Sequence, residues 1–102
     1  MLARDPREVR RELEQGIGSR GRLRIIAALA SRREEALSRY VLEKKTGIRS
    51  NFLDSDLKAL LEIGWVEEVR ESERLRKYRL NLGNETLLKV LEFLWSVGYT
   101  IE

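Results

Sequence analysis

Apolar positions along this 102-residue chain recur at a helical period in five stretches, and alternate with polar ones in a sixth that lies between the fourth and fifth. The first stretch opens at Asp5, where Pro6 and Glu8 supply a first-turn proline and the returning carboxylate of a capping box. Only Val9 and Leu13 form its apolar line before Gly16. That is too little to hold a helix in isolation, so the segment must dock on something or be partly mobile. Leu23, Ile25, Ile26, Ala27, Leu29 and Ala30 then mark a central core helix with Ser19 as its cap. Another helix is predicted from about Ala36 to Lys45. Leu37, Tyr40 and Val41 face inward in it, and Lys44 and Lys45 sit in the last turn, where positive charge suits the helix dipole. Thr46 and Gly47 end it.

A third core helix is predicted from Ser50 to Ile63, with Leu53, Leu57, Leu60 and Leu61 as one stripe and Gly64 as its stop. The period then changes. Trp65, Val66 and Val69 lean to β structure, and Tyr78, Leu80 and Leu82 alternate with Lys77, Arg79 and Asn81, as in a half-buried hairpin. Trp65 and Tyr78, like Tyr40, read as core residues. The hairpin tip, Glu71 to Leu75, has no Gly or Asn for a tight two-residue turn, which predicts a longer, charged loop. After Gly83 and Asn84 comes a last helix in which Leu87, Leu88, Val90, Leu91, Phe93, Leu94, Trp95 and Val97 occupy almost every side. One buried stripe needs only about three apolar positions in seven, so the excess should meet a second surface. Leu88, Leu91, Leu94 and Trp95 are the expected seam with a second copy of the chain, assisted by residues 6–15; the alternative is a helix that merely closes the chain's own core.

The length is that of one domain, and a folded chain of this size hides enough surface to need no covalent staple. There is no cysteine and no histidine, which removes thiol and imidazole nucleophiles, the imidazole acid–base, and every metal site built on those ligands. The acidic pairs do not replace them. Asp54 and Asp56 diverge on a helix, and Glu34 and Glu35 are adjacent, so neither pair converges on a cation. The expectation is a protein that is not an enzyme and uses no metal and no cofactor. No apolar stretch approaches the roughly 20 residues of a membrane span, which points to a cytoplasmic protein.

The net charge of +3 says less than its distribution. Residues 1–24 carry seven Arg against four acids, residues 65–80 five cations against four acids, and residues 81–102 one cation against three acids. Arg outnumbers Lys fifteen to five. That bias, with few Asn, Gln and Met, matches the ion-pair surface of a thermophile; it suits phosphate recognition equally, because the guanidinium fork donates two bonds at once.

Three stretches carry a family resemblance. Thr46-Gly47-Ile48, then Leu57-Lys58, then Gly64-Trp65-Val66-Glu67 resemble the turn, recognition helix and first wing strand of ArsR/MarR-like prokaryotic transcription regulators, archaeal or bacterial. Gly18-Ser19 with Arg22-Leu23-Arg24-Ile25-Ile26 looks like the opening of their first core helix, and Tyr78-Arg79-Leu80 like their returning wing strand. The resemblance implies an α+β, mostly α, winged helix-turn-helix over residues 18–82, a three-helix core plus a β-hairpin wing. Residues 1–17 would be an N-terminal helical arm and residues 83–102 a dimerisation helix. It implies double-stranded DNA as partner, with the helix 50–63 in the major groove and the wing 65–82 on the backbone. Arg49 would fork onto guanine and Asn51 onto adenine, with Ser50, Ser55 and Lys58 on phosphate and Arg74, Arg76 and Lys77 gripping from the wing. Against this stand Asp54 and Asp56 on or beside the reading face, and Glu71 and Glu73 at the wing tip, which phosphate repels. They leave open a winged-helix module that binds a basic protein instead of DNA.

Overall fold

The computed structural model describes residues 5–33 and 35–100, with Arg10 described by its backbone alone. Among these residues the elements run α1 (Pro6–Ile17), α2 (Arg20–Ala30), β1 (Leu37–Ser38), α3 (Arg39–Thr46), α4 (Ser50–Glu62), β2 (Val66–Arg70), β3 (Arg76–Leu80) and α5 (Glu85–Ser96). The strands form one antiparallel sheet in the order β1-β3-β2. Local chemistry sets most boundaries. Asp5, Ser19, Ser38 and Asn84 each accept a backbone N–H from the first turn of the helix they cap. Gly47, at φ 73°, closes α3 in the left-handed conformation that a side chain would strain, and so makes the sharp turn into α4. Thr46 seals this turn: its hydroxyl donates to the Leu42 carbonyl at 2.6 Å and accepts the Ile48 N–H at 3.2 Å.

The core gathers Ile25, Ile26 and Leu29 of α2, Leu42 of α3, Leu53 and Leu60 of α4, Trp65, and Leu87 of α5, all essentially sealed from solvent. Full burial of each such side chain stabilises by roughly 1.5–3 kcal/mol. α4 is thus bedded by the leucine stripe its sequence shows, and its other side is left free.

Two expectations are corrected. The helix predicted from Ala36 starts three residues later, because Leu37 and Ser38 are extended and pair with Tyr78 and Lys77 of β3. A strand partner some forty positions away outweighs a helical pattern that continues through them. The later start also changes which residues face inward. Leu42 and Thr46 are buried, while Tyr40 is 65% exposed with the Lys44 ammonium 5.4 Å from its ring centre. Tyr40 is therefore a surface residue; Trp65 is core and Tyr78 half-buried.

The N-terminal helix is docked. Gly16 lies flat on the Trp65 indole, the indole N–H donates to the buried Glu12 carboxylate, and Gln15 Nε2 donates to the Ala59 carbonyl at 3.0 Å. Val9 and Leu13 are only part of the answer to how so short an apolar line is held: a glycine's flat face and two polar anchors do the rest.

Candidate nucleic-acid interface

The leucine stripe of α4 turns inward, so Arg49, Ser50, Asn51, Ser55 and Lys58 are left on its solvent side, all exposed. Arg49 is the N-cap and its side chain makes no capping bond, which leaves the guanidinium free to reach outward from the tip of the helix. The Ser50 hydroxyl is engaged by Glu43 of α3, so this serine braces the turn as well as facing outward. Ser55 and Lys58 line a shallow polar depression shared with Arg11, Glu14 and Glu62 at the α1–α4 junction.

The two aspartates of α4 do different things. Asp56 is turned away from the free face and onto the start of α2, where Arg22 Nε donates to it at 3.1 Å and the Ser19 hydroxyl at 3.4 Å. Gly21 admits it there, since a Cβ at that position would collide with the carboxylate. Asp56 is thus an anchor between helices and not a repulsive charge on the reading face. Asp54 does stay on the free side, but Arg39 of α3 grips it with both nitrogens of its fork, Nε at 2.6 Å and Nη2 at 3.0 Å. Hydrogen bonding to Asp54 is the main cause holding the Arg39 proton more firmly than in a free arginine. The pair is nearly neutral as a unit. Sequence reasoning missed Arg39, because the partners are fifteen positions apart and nothing local marks them.

The wing is laced by ion pairs. Arg79 meets Glu67 at 2.7 Å, Arg76 meets Glu68 at 3.4 Å, and Lys77 meets Glu71 at 3.3 Å. Arg70 and Arg76 stand directly opposite in the ladder, a repulsive arrangement that Glu68 relieves by lying within 3.9 Å of one and 3.4 Å of the other. Of the three expected wing contacts, Arg76 and Lys77 are therefore partnered. Arg74, exposed at the tip, has no carboxylate partner among the described residues, and the same holds for Arg49 and Lys58. Tyr78 is held protonated above the ordinary tyrosine range, by burial first and by Glu68 second.

On α5, Leu91 and Leu94 are only 4% and 8% exposed within the single chain, so they belong to its own core and do not form an outward seam. Leu88 and Trp95, the latter 78% exposed, are the members of the expected set that face out. They border an apolar groove between α5 and the end of α2, floored by Ala27, Ala30 and Leu91 and flanked by Tyr99. Phe93 and Val97 are exposed on the other flank of the helix. Among the described residues no helix is long and apolar enough to cross a membrane.

No family model and no curated protein sequence matches this chain. Solved structures do. The transcriptional repressor BigR from Xylella fastidiosa is similar with a TM-score of 0.73 and 26% identity, over 89% of this chain and 83% of that one. NolR from Sinorhizobium fredii superposes with a TM-score of 0.73 at 19% identity, over 98% and 99% of the two chains. A homodimeric winged helix-turn-helix DNA-binding domain from Mycobacterium bovis, described as a possible ArsR-family regulator, reaches 0.68 at 19% identity over 96% and 90%.

Proposed function

With the winged helix-turn-helix fold as premise, we propose that this protein is a DNA-binding transcription regulator that seats α4 in the major groove and lays the β2–β3 wing along the backbone. One observation carries the reading: α4 is bedded by Leu53, Leu57 and Leu60 and leaves Arg49, Asn51, Ser55 and Lys58 free, while the outward acid of its N-terminal half, Asp54, is already neutralised by Arg39. A helix so presented matches the geometry by which such folds read base edges, with Arg49 suited to guanine and Asn51 to adenine. The likeness to proteins described as a transcriptional repressor and as a DNA-binding domain supports it. Arg74 reaches phosphate from the wing tip, and Arg76 and Lys77 reach it by exchanging their glutamates for it. Nothing in this mechanism calls for catalysis or a metal.

The protein acts as a homodimer in this reading, burying Leu88 and Trp95 of α5 and reading two half-sites about one helical turn, roughly 34–36 Å, apart. The homodimeric neighbour supports this assembly. Its place is on the DNA in the cytoplasm, and its arginine-rich, ion-paired wing suits a thermophile.

The test is a gel shift on a pool of random duplexes at two salt concentrations. Binding that falls by about 0.9 log units per log unit of salt for each phosphate contacted is expected. Absence of binding at both salts refutes the reading. Glu73, an exposed wing-tip acid with no cation partner among the described residues, favours one second reading, a module for a basic protein partner; a stoichiometric protein partner recovered with no nucleic acid would establish that instead.

A further inference from the structure

Phe52 is a large apolar side chain exposed on α4. It stands in the first turn of α4, two residues after the helix begins, yet it is 61% exposed, whereas Leu53 beside it is fully buried. The helical geometry says where it points. Phe52 lies one turn before Asp56 on the same flank of α4, and Asp56 is tied to Arg22 and Ser19 at the start of α2. Phe52 is also three residues before Ser55, so it borders the polar strip of Asn51 and Ser55 on the side toward α2. It therefore occupies an edge of the reading face at the end that enters deepest, beside the free cation Arg49.

We propose that Phe52 reads the C5-methyl group of a thymine, next to the base edge addressed by Asn51; this rests on the DNA-binding reading above. The major groove displays donors and acceptors on every base pair but one apolar group only, the thymine methyl, and an aromatic ring is a fitting partner for it. A phenyl ring carried into the groove against any other base edge would strip water from polar atoms and return no hydrogen bond. Arg49 stands one turn before the ring with its charge free, and the Asp56 carboxylate on the same flank is already paired with Arg22, so the charge left beside Phe52 is positive and commits the occupant to duplex DNA.

The experiment starts from a duplex selected by the full-length protein out of a random pool. Each thymine of that duplex is then replaced by deoxyuridine, which lacks only the methyl, and affinity is read by fluorescence anisotropy. One position, in each half-site if two are bound, should weaken binding about fourfold, the factor expected from one methyl group's worth of apolar burial. Phe52→Ala should bind more weakly and treat thymine and deoxyuridine alike at that position, while Phe52→Leu should keep the preference. Unchanged melting of both variants is expected, since Phe52 supports no core. Indifference of the parent protein to deoxyuridine at every position, or a preference surviving in Phe52→Ala, overturns the assignment while leaving the DNA-binding reading intact. Failure to select any duplex overturns both.

Discussion

Adding one methyl group at Gly16 should unfasten the N-terminal helix. A Cβ built there falls inside contact distance of three Trp65 ring carbons, the farthest of them, Cε3, at 2.7 Å. Carbon atoms prefer about 3.5–4.0 Å, so the gap is short by at least about 0.8 Å. Trp65 is fully buried and has nowhere to go. The backbone at Gly16 is not in the positive-φ region, so alanine is otherwise acceptable there and removes a helical glycine, worth about 1 kcal/mol of stabilisation. Against that stand overpacking of about 1–3 kcal/mol and, once α1 retreats, a weakened Trp65–Glu12 hydrogen bond between buried groups, about 1–3 kcal/mol. The net expectation is a loss of about 2–3 kcal/mol, or a fall in Tm of roughly 10–20 °C for a domain of this size. Thermal and urea unfolding followed by circular dichroism measure it. Trp65→Phe is the background that separates cause from coincidence, because it removes the offending benzo ring: there, Gly16→Ala should be neutral or mildly stabilising. A Gly16→Ala protein as stable as the parent, or an equal penalty in both backgrounds, refutes the docking argument.

Other consequences follow from the same contacts. Asp54→Ala should leave Arg39 with its longer ion pair to Glu43, at 3.9 Å, which phosphate can displace, and so raise affinity for random duplex severalfold at low salt, with the salt slope steeper by about one contact; unchanged affinity and slope in a gel-shift series would show that Arg39 does not reach DNA. Tyr78 has its folded pKa raised above the unfolded value of 10.0, so the fold favours the neutral phenol. Its contribution is complete below pH 10 and is lost as pH rises through the folded value, so urea midpoints should fall more steeply above pH 10 in the parent than in Tyr78→Phe. On α5, Trp95→Glu should give a folded monomer by sedimentation, whereas Leu91→Glu should lower the melting temperature sharply by burying a charge in the chain's own core; a Leu91→Glu protein that melts like the parent would place that residue outside the core after all.

Signals carried within a few residues were legible in the sequence. Asp5, Ser19 and Asn84 were recognisable as caps from their place before an apolar period, and Gly47 as the turn glycine from its place after Thr46. The stripe of Leu53, Leu57 and Leu60 identified both the buried side of α4 and, by subtraction, the side that carries Arg49, Asn51, Ser55 and Lys58. The winged arrangement followed from the order of those elements, and solved structures share it.

Tertiary structure alone decided the rest. Leu37 joins a strand because β3 is there to receive it, and that displaced pairing exposes Tyr40. Arg39 neutralises Asp54 across fifteen positions, Arg22 draws Asp56 away across thirty-four, and Trp65 meets Glu12 across fifty-three. In α5 an all-round apolar pattern leaves open which residues face the core and which face outward; packing puts Leu91 and Leu94 inside and leaves Leu88 and Trp95 out. Caps and stripes are set by energies between neighbours in the chain, so they can be read along it. Which charge meets which, and which leucine is covered, depends on segments brought together only when the core closes, and no local pattern encodes that.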